Sequence, residues 1–183
     1  MKIDLYEEKI PILEGVTVTC DKGVVTAKGP FGETSKKLLN SKIHITTDGS
    51  FVVLTAKKAT RKEKMFINTF RAHINNVMKG AKEGFEYELR ICSGHFPMSA
   101  SVKGSVFELK NFLGENTPRK LELKAGAKVS IEGEIIKVQA SNKELAGQVA
   151  ADLEQLTRIT DFDRRIFQDG IFIIKKAGKS MLA

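Results

Sequence analysis

The stretch GPFGE at residues 29–33 is answered by NFLGE at residues 111–115, an offset of 82. Leu38 is answered by Leu121 at an offset of 83, and FVVLTA at 51–56 by IIKVQA at 135–140 at an offset of 84. A slowly drifting offset is what small loop insertions leave behind in a duplicated chain, and in each half a helical pattern starts shortly after the last of these matches. The period is too long for a solenoid array, so the 183 residues read as two similar domains. The expected fold is α+β: two duplicated domains, each a mostly antiparallel β-sheet with one α-helix packed on one face. The expected division is 1–82 and 83–183, with the junction near Gly80–Gly84.

Local patterns fill in this outline. VTVTC (16–20) and VVTAKG (24–29) flank the turn DKG and read as a hairpin. SKKLL, IHITT and FVVLTA continue as strands. In RKEKMFINTFRAHINNVMKG the period changes: Phe66, Phe70, His73/Ile74 and Val77 recur every three or four residues, with Lys79 and Gly80 suited to the helix end. FEYELRIC (85–92) alternates like a half-buried strand. SNKELAGQVAADLEQLTRI is a second helix, with Ser141 and Glu144 as a capping box and Leu145, Val149, Leu153 and Leu156 as its buried stripe. Gly147 inside it weakens the helix by about 1 kcal/mol relative to alanine, which predicts close approach to the sheet there.

The chain carries 30 Lys and Arg against 22 Asp and Glu, a net charge of +8. Such a balance favours a polyanionic partner, nucleic acid first. Residues 1–80 hold 14 basic and 8 acidic residues and the rest 16 and 14, so the second half has local clusters rather than a general excess. Cys20 and Cys92 have no zinc or disulfide spacing. No apolar run is long enough for a membrane helix, and the first residues lack a secretory pattern. Together these point to a cytoplasmic protein without a membrane partner.

Catalytic and cofactor motifs fail on inspection. AGKS (177–180) resembles the end of a P-loop, but Ile173 stands where glycine is needed. GPFG has GxxG spacing with strands, not helices, on either side, and reads as a tight connection whose tip can touch a partner. His44, His73 and His95 fall on a strand, a helix and a loop with no metal-ligand spacing; His73 reads as a core residue and His95 as a loop histidine able to meet a base or phosphate. No nucleophile–base pair or carboxylate pair stands out, so neither an enzyme nor a cofactor is expected.

DFDRRIFQDGIFIIKK (161–176) is different. Arginine forks match phosphate oxygens, and neighbouring aspartates can hold a fork in shape before binding. Sequence leaves open which of Arg164 and Arg165 faces phosphate and which bridges to Asp161, Asp163 or Asp169. Gly170 permits close backbone approach, Ile171–Ile174 read as a strand, and Lys175, Lys176 and Lys179 as a basic tail. That arrangement suits structured RNA.

DRRIFQDGIFI closely resembles the C-terminal signature of the archaeal and eukaryotic branch of the large-subunit ribosomal protein six family. IPILEGVTV, GPFGE, FRAHINNVMKGAKEGFEYELRI, HFP, NFLGE with PRK, and SNKELAGQVAADLE extend the resemblance over essentially the whole chain. The chain departs from that pattern at Phe172, where tyrosine is usual, and at Phe162, where a basic residue is common. The resemblance implies two duplicated domains and a non-catalytic, structural role in the large ribosomal subunit. It implies binding to large-subunit rRNA, mainly by the C-terminal domain, near the sarcin–ricin loop. Translational GTPase factors land nearby, and other large-subunit proteins are neighbours. On this reading the candidate RNA-binding residues are His95, Lys103, Arg119, Lys120, Arg164, Arg165, Gln168, Lys175, Lys176 and Lys179. The alternative is a free-standing RNA-binding regulatory module.

Overall fold

The computed structural model describes residues 3–181. The chain divides into two units, Met1–Gly84 and Phe85–Ala183. The first contains β1 (Ile3–Pro11), β2 (Thr17–Asp21), β3 (Val24–Lys28), β4 (Glu33–Lys37), β5 (Ile43–Thr47), β6 (Phe51–Ala59) and α1 (Arg61–Lys82). The second contains β7 (Phe85–Cys92), β8 (Ser99–Lys103), β9 (Val106–Lys110), β10 (Arg119–Glu122), β11 (Ala127–Glu132), β12 (Ile135–Ala140), α2 (Lys143–Leu156), β13 (Gly170–Lys176) and β14 (Lys179–Ser180).

The duplication is visible in the strand order. The first unit has antiparallel sheets β1-β6-β5 and β2-β3-β4; the second has β7-β12-β11 and β8-β9-β10 in the same order. The strands of each unit thus form two sheets rather than one. The second unit departs from the first at β7, which carries β13 and then β14 on its other side. All pairings among these strands are antiparallel.

In the first unit, Val25 and Ala27 of β3 and Val52, Leu54 and Ala56 of β6 are fully buried. Ile67, Phe70, Ile74, Val77, Met78 and Ala81 of α1 close over them. That stripe differs from the expected one. Phe66 is 40% exposed, and His73 is half-buried at the margin rather than in the core. The bulk of Phe66 draws attention away from Ile67, one position on, which sets the true phase of the helix.

Thr60 begins α1 with a capping box that the sequence reading missed. Its hydroxyl accepts from the Lys62 amide at 3.3 Å, and Glu63 reaches back to the Thr60 amide at 2.9 Å and to the Thr60 hydroxyl. Lys42 Nζ donates to the same carboxylate at 3.0 Å. The Thr60 hydroxyl, then Lys42, hold the Glu63 carboxyl down to about 2, from an ordinary value of 4.5. A depressed folded pKa gives stability that is present above the unfolded value and lost as pH falls toward the folded one. Thermal melts between pH 7 and 2 should therefore show the wild type losing stability more steeply below pH 4.5 than Glu63→Gln. Parallel acid limbs would mean that the box does not bear on folding.

The helix passes through Gly80 and ends at Lys82, later than expected. The Gly84 amide donates to Gly80 O at 3.1 Å, and Gly84 turns the chain away at a φ of +75°. The GPFG loop packs against this end. The Phe31 amide donates to Ala81 O at 3.0 Å, and a Cβ on Gly29 would stand 2.5 Å from that same oxygen. The loop is therefore a cap for the carboxyl end of α1, as well as a strand connection.

In the second unit α2 is capped by Asn142, not Ser141: Asn142 Oδ1 accepts from the Glu144 amide at 2.9 Å. Because β12 runs to Ala140, the chain is still extended at Asn142, and the cap falls one residue later than expected. Ala146, Val149, Ala150 and Leu153 form the buried stripe, with Leu145 and Leu156 at its rim. A Cβ on Gly147 would lie 3.2 Å from Tyr87 Oη of β7, the close approach that this glycine predicts.

Candidate nucleic-acid interface

The loop before β13 is built by its aspartates. Asp163 starts a helical turn: its carbonyl accepts from the Ile166 and Phe167 amides at 3.0 and 2.9 Å, and its Oδ1 accepts from the Arg165 amide at 3.0 Å. The same carboxylate holds the Arg165 guanidinium through Nε at 3.1 Å and Nη2 at 2.7 Å. This fork keeps the Asp163 carboxyl below its ordinary range and the guanidinium above its own. Arg164, the next residue after Asp163, is exposed and has no ion pair or hydrogen bond among the described residues. The sequence left the two arginines interchangeable; the structure assigns the bridge to Arg165 and leaves the guanidinium of Arg164 unengaged.

Asp169 fastens this loop to the loop after β7. Its side chain is 1% exposed. Oδ1 accepts from the Gly94 and His95 amides at 2.6 and 2.9 Å, and Oδ2 lies 2.6 Å from His95 Nδ1. Burial alone would push the Asp169 carboxyl up, but the donors from His95 and Gly94 outweigh it and hold the group below its ordinary value. The His95 ring stacks on Phe167 with centroids 4.6 Å apart and an interplanar angle of 24°; Phe162 leans on Phe167 at 4.8 Å.

The start of β13 is fixed from α2. Gly170 has a φ of +154°, and a Cβ there would crowd Thr157 Oγ1 at 3.2 Å. With no Cβ present, the Ile171 amide donates to Thr157 Oγ1 at 2.9 Å, and the Ile173 amide donates to Glu154 Oε1 at 3.3 Å. Side chains from the end of α2 thereby satisfy amides of β13, a way of covering an exposed strand edge.

Between these parts lies an open groove of about 1170 Å³. His95, Arg164 and Gln168 line it, joined by Arg90, Arg158, Ile166 and Phe172. Arg158, just past the α2 C-cap, was missed by sequence reading, because a cation there reads as a partner for the helix dipole. It too has no side-chain partner among the described residues. Arg90 pairs at 3.4 Å with Glu134, and both side chains are exposed.

The other candidates stand elsewhere. Lys103 Nζ lies 3.1 Å from Glu108, and Lys120 sits opposite Glu108 across β10 and β9. Lys175 is held by Glu88 at 2.8 Å and Glu86 at 3.7 Å. Arg119 is fully engaged: Nε and Nη2 donate to Glu115 at 2.9 and 2.5 Å, Nη1 donates to Leu156 O at 2.6 Å, and the guanidinium lies 4.2 Å over the Phe112 ring. Glu115 of NFLGE thus holds the arginine that satisfies a last carbonyl of α2, whereas GPFGE reaches the end of α1 through its own Phe31 amide.

Lys176 and Lys179 do not lie on a trailing tail. They face each other across a β13–β14 hairpin whose turn, Ala177–Gly178, has φ of +48° and +83°, the left-handed pair a tight hairpin requires. Alanine concealed it, being an unusual residue at such a position. Among the described residues no group of three His, Cys, Asp or Glu side chains is placed to hold a metal ion, and no helix is long and apolar enough to cross a membrane.

A family model described as Ribosomal protein L6 matches residues 12–84 and 96–170, one segment in each unit. The chain belongs to this family. It is 43% identical over 169 residues to the large ribosomal subunit protein uL6 of Methanobrevibacter smithii, covering 92% of this chain and 95% of the relative. It is 42% identical over 168 residues to the protein of the same name from Methanosarcina mazei, covering 92% and 96%. Family membership agrees with the repeated strand order and with the resemblance carried by DRRIFQDGIFI.

Proposed function

We propose that this protein is a structural constituent of the large ribosomal subunit and works in the cytoplasm as part of it. Its second unit, Phe85–Ala183, is the principal RNA-binding domain and grips large-subunit rRNA near the sarcin–ricin loop. That position would bring it close to the landing site of translational GTPase factors and to neighbouring large-subunit proteins. The role is one of support, not catalysis, and involves no cofactor.

The observation that carries this reading is the state of Arg164. An unpaired guanidinium is presented by a turn that Asp163 nucleates and Asp169 anchors, so the backbone beneath it needs little ordering when a phosphate arrives. Arg158 adds a second open cation to the same groove. The hairpin tip supports the reading in another way. Like charges directly opposite across strands are unfavourable, and a bound polyanion relieves the repulsion between Lys176 and Lys179. Lys103 and Lys120 form a more peripheral basic face, and Gln168 has hydrogen-bonding capacity to offer in the groove. Arg119 and Lys175 contribute by shaping the unit that presents the others.

Binding of the full chain to an rRNA fragment containing the sarcin–ricin loop tests this. Arg164→Ala should weaken binding by about 1.5–3 kcal/mol and lower the slope of log affinity against log salt by about one, with melting unchanged. Arg165→Ala should have the smaller effect on affinity, because Asp163 already holds that side chain. An unchanged salt slope in Arg164→Ala would remove the groove from the RNA interface. Failure of the wild type to bind the fragment would overturn the assignment to this rRNA region.

A further inference from the structure

His95 is held in a single chemical orientation. An ionised Asp169 carboxylate can only accept, so the Nδ1 atom 2.6 Å from it must carry a proton. The two backbone amides on the other oxygen favour the ionised carboxylate and outweigh its burial, and so disfavour the reverse arrangement. Stacking on Phe167 fixes the ring plane. A neutral imidazole protonated at Nδ1 keeps its lone pair on Nε2. That atom has no partner among the described residues, on a side chain that is 37% exposed and lines the groove beside Arg164.

Of the polar groups that line the groove, which also include Glu134, Glu154 and Gln168, three bear on a sugar–phosphate backbone. Arg158 and Arg164 donate, which suits phosphate. His95 Nε2 accepts, which phosphate cannot use and which repels it. The geometry points to His95 as the residue that distinguishes RNA from DNA in this groove, with Nε2 accepting a hydrogen bond from a ribose 2′-hydroxyl. A hydroxyl stands one sugar away from every phosphate in RNA, so a donor lies in reach wherever an arginine grips the backbone. Donors on the bases lie farther from the phosphate and depend on sequence, whereas DNA lacks the hydroxyl altogether. This inference rests on the RNA-binding reading above and adds a specificity element to it.

The deciding variant is His95→Asn. Its amide nitrogen can take the place of Nδ1 against Asp169, but nothing replaces Nε2. The probe is the same rRNA fragment, intact and as a set carrying one 2′-deoxy sugar at each position of the footprint. At one position, the deoxy sugar should weaken wild-type binding by roughly 2- to 10-fold, the range for a single neutral hydrogen bond. The same substitution should leave His95→Asn unaffected, so that the two losses are not additive. The salt slope should not change, because no phosphate contact is removed. Asp169→Asn in parallel turns an amide NH2 toward Nδ1 and moves the ring proton to Nε2, so it too should lose the dependence on that 2′-hydroxyl. If every deoxy penalty persists in His95→Asn, the inference falls while wild-type binding keeps the RNA reading intact. Coupling to a base substitution instead would name a base donor as the partner and likewise overturn it. A wild type that binds no fragment sinks both.

Discussion

Replacing Asp169 with alanine should be the most damaging single change in the second unit. The carboxylate is buried and takes three donors, the amides of Gly94 and His95 and the His95 imidazole. Alanine leaves two amides and a ring N–H pointing into space that water enters poorly. An unsatisfied buried donor costs about 1–3 kcal/mol, and the three share one partner, so the losses overlap. The expected total is about 3–5 kcal/mol, less than three separate losses would give. Hydrogen exchange should locate the damage: the Gly94 and His95 amides, protected in the wild type, should exchange quickly in the variant. Affinity for rRNA should fall as well, although Asp169 is negative and its removal makes the site more basic. An electrostatic account without the clasp predicts tighter binding. A variant that melts within about 1 kcal/mol of the wild type and binds more tightly would dispose of the clasp.

The same group sets a pH window. The folded carboxyl lies below its ordinary value of 3.8. Its contribution is therefore complete above that value and disappears only as the pH falls below it. Acid should release the loop, and base should not. Glu63 gives the first unit a similar dependence, so the two must be told apart by probes local to each unit.

The duplication was legible because strand period and loop glycines survive divergence. The offset matches in GPFGE and NFLGE, Leu38 and Leu121, and FVVLTA and IIKVQA anticipated the shared strand order. The division into two sheets per unit was not legible, because it depends on which hairpins pair and not on how each strand alternates. β1 escaped notice for a related reason: IDLYEEKIP pairs along its full length with β6 yet exposes most of its side chains, including Ile3 and Leu5. At the site, the composition of DRRIFQDG announced arginines held by aspartates. The partner of each aspartate is decided by contacts across the fold, since Asp169 and His95 are 74 residues apart in sequence. Arg158 and the hairpin at Ala177–Gly178 were hidden by residues that look ordinary in one dimension.

Replacing Arg119 with alanine is the second large expected effect. The resemblance, which includes the PRK triplet, offers Arg119 as an RNA contact; its side chain is only 29% exposed and each of its nitrogens has a partner. Glu115 receives the fork, and its carboxyl is held below the ordinary range mainly by that bond. Leu156 O, one of the last carbonyls of α2, receives the third nitrogen, while Phe112, 1% exposed, supports the plane from below. Hydrogen bonds to charged groups are worth about 1.5–3 kcal/mol, and a cation–π contact about 0.5–2 kcal/mol. Solvent at the partly exposed Glu115 end screens part of this. Arg119→Ala should therefore destabilise the second unit by about 2–4 kcal/mol and loosen the end of α2, from which Thr157 and Glu154 hold β13. Arg119→Lys should rescue little, because one ammonium cannot span Glu115, the Leu156 carbonyl and the Phe112 face together. The salt slope of rRNA binding, measured below the melting range, should stay at its wild-type value in both variants. A lowered slope with melting intact would instead return Arg119 to the RNA surface and make its contacts with Glu115 and Leu156 incidental.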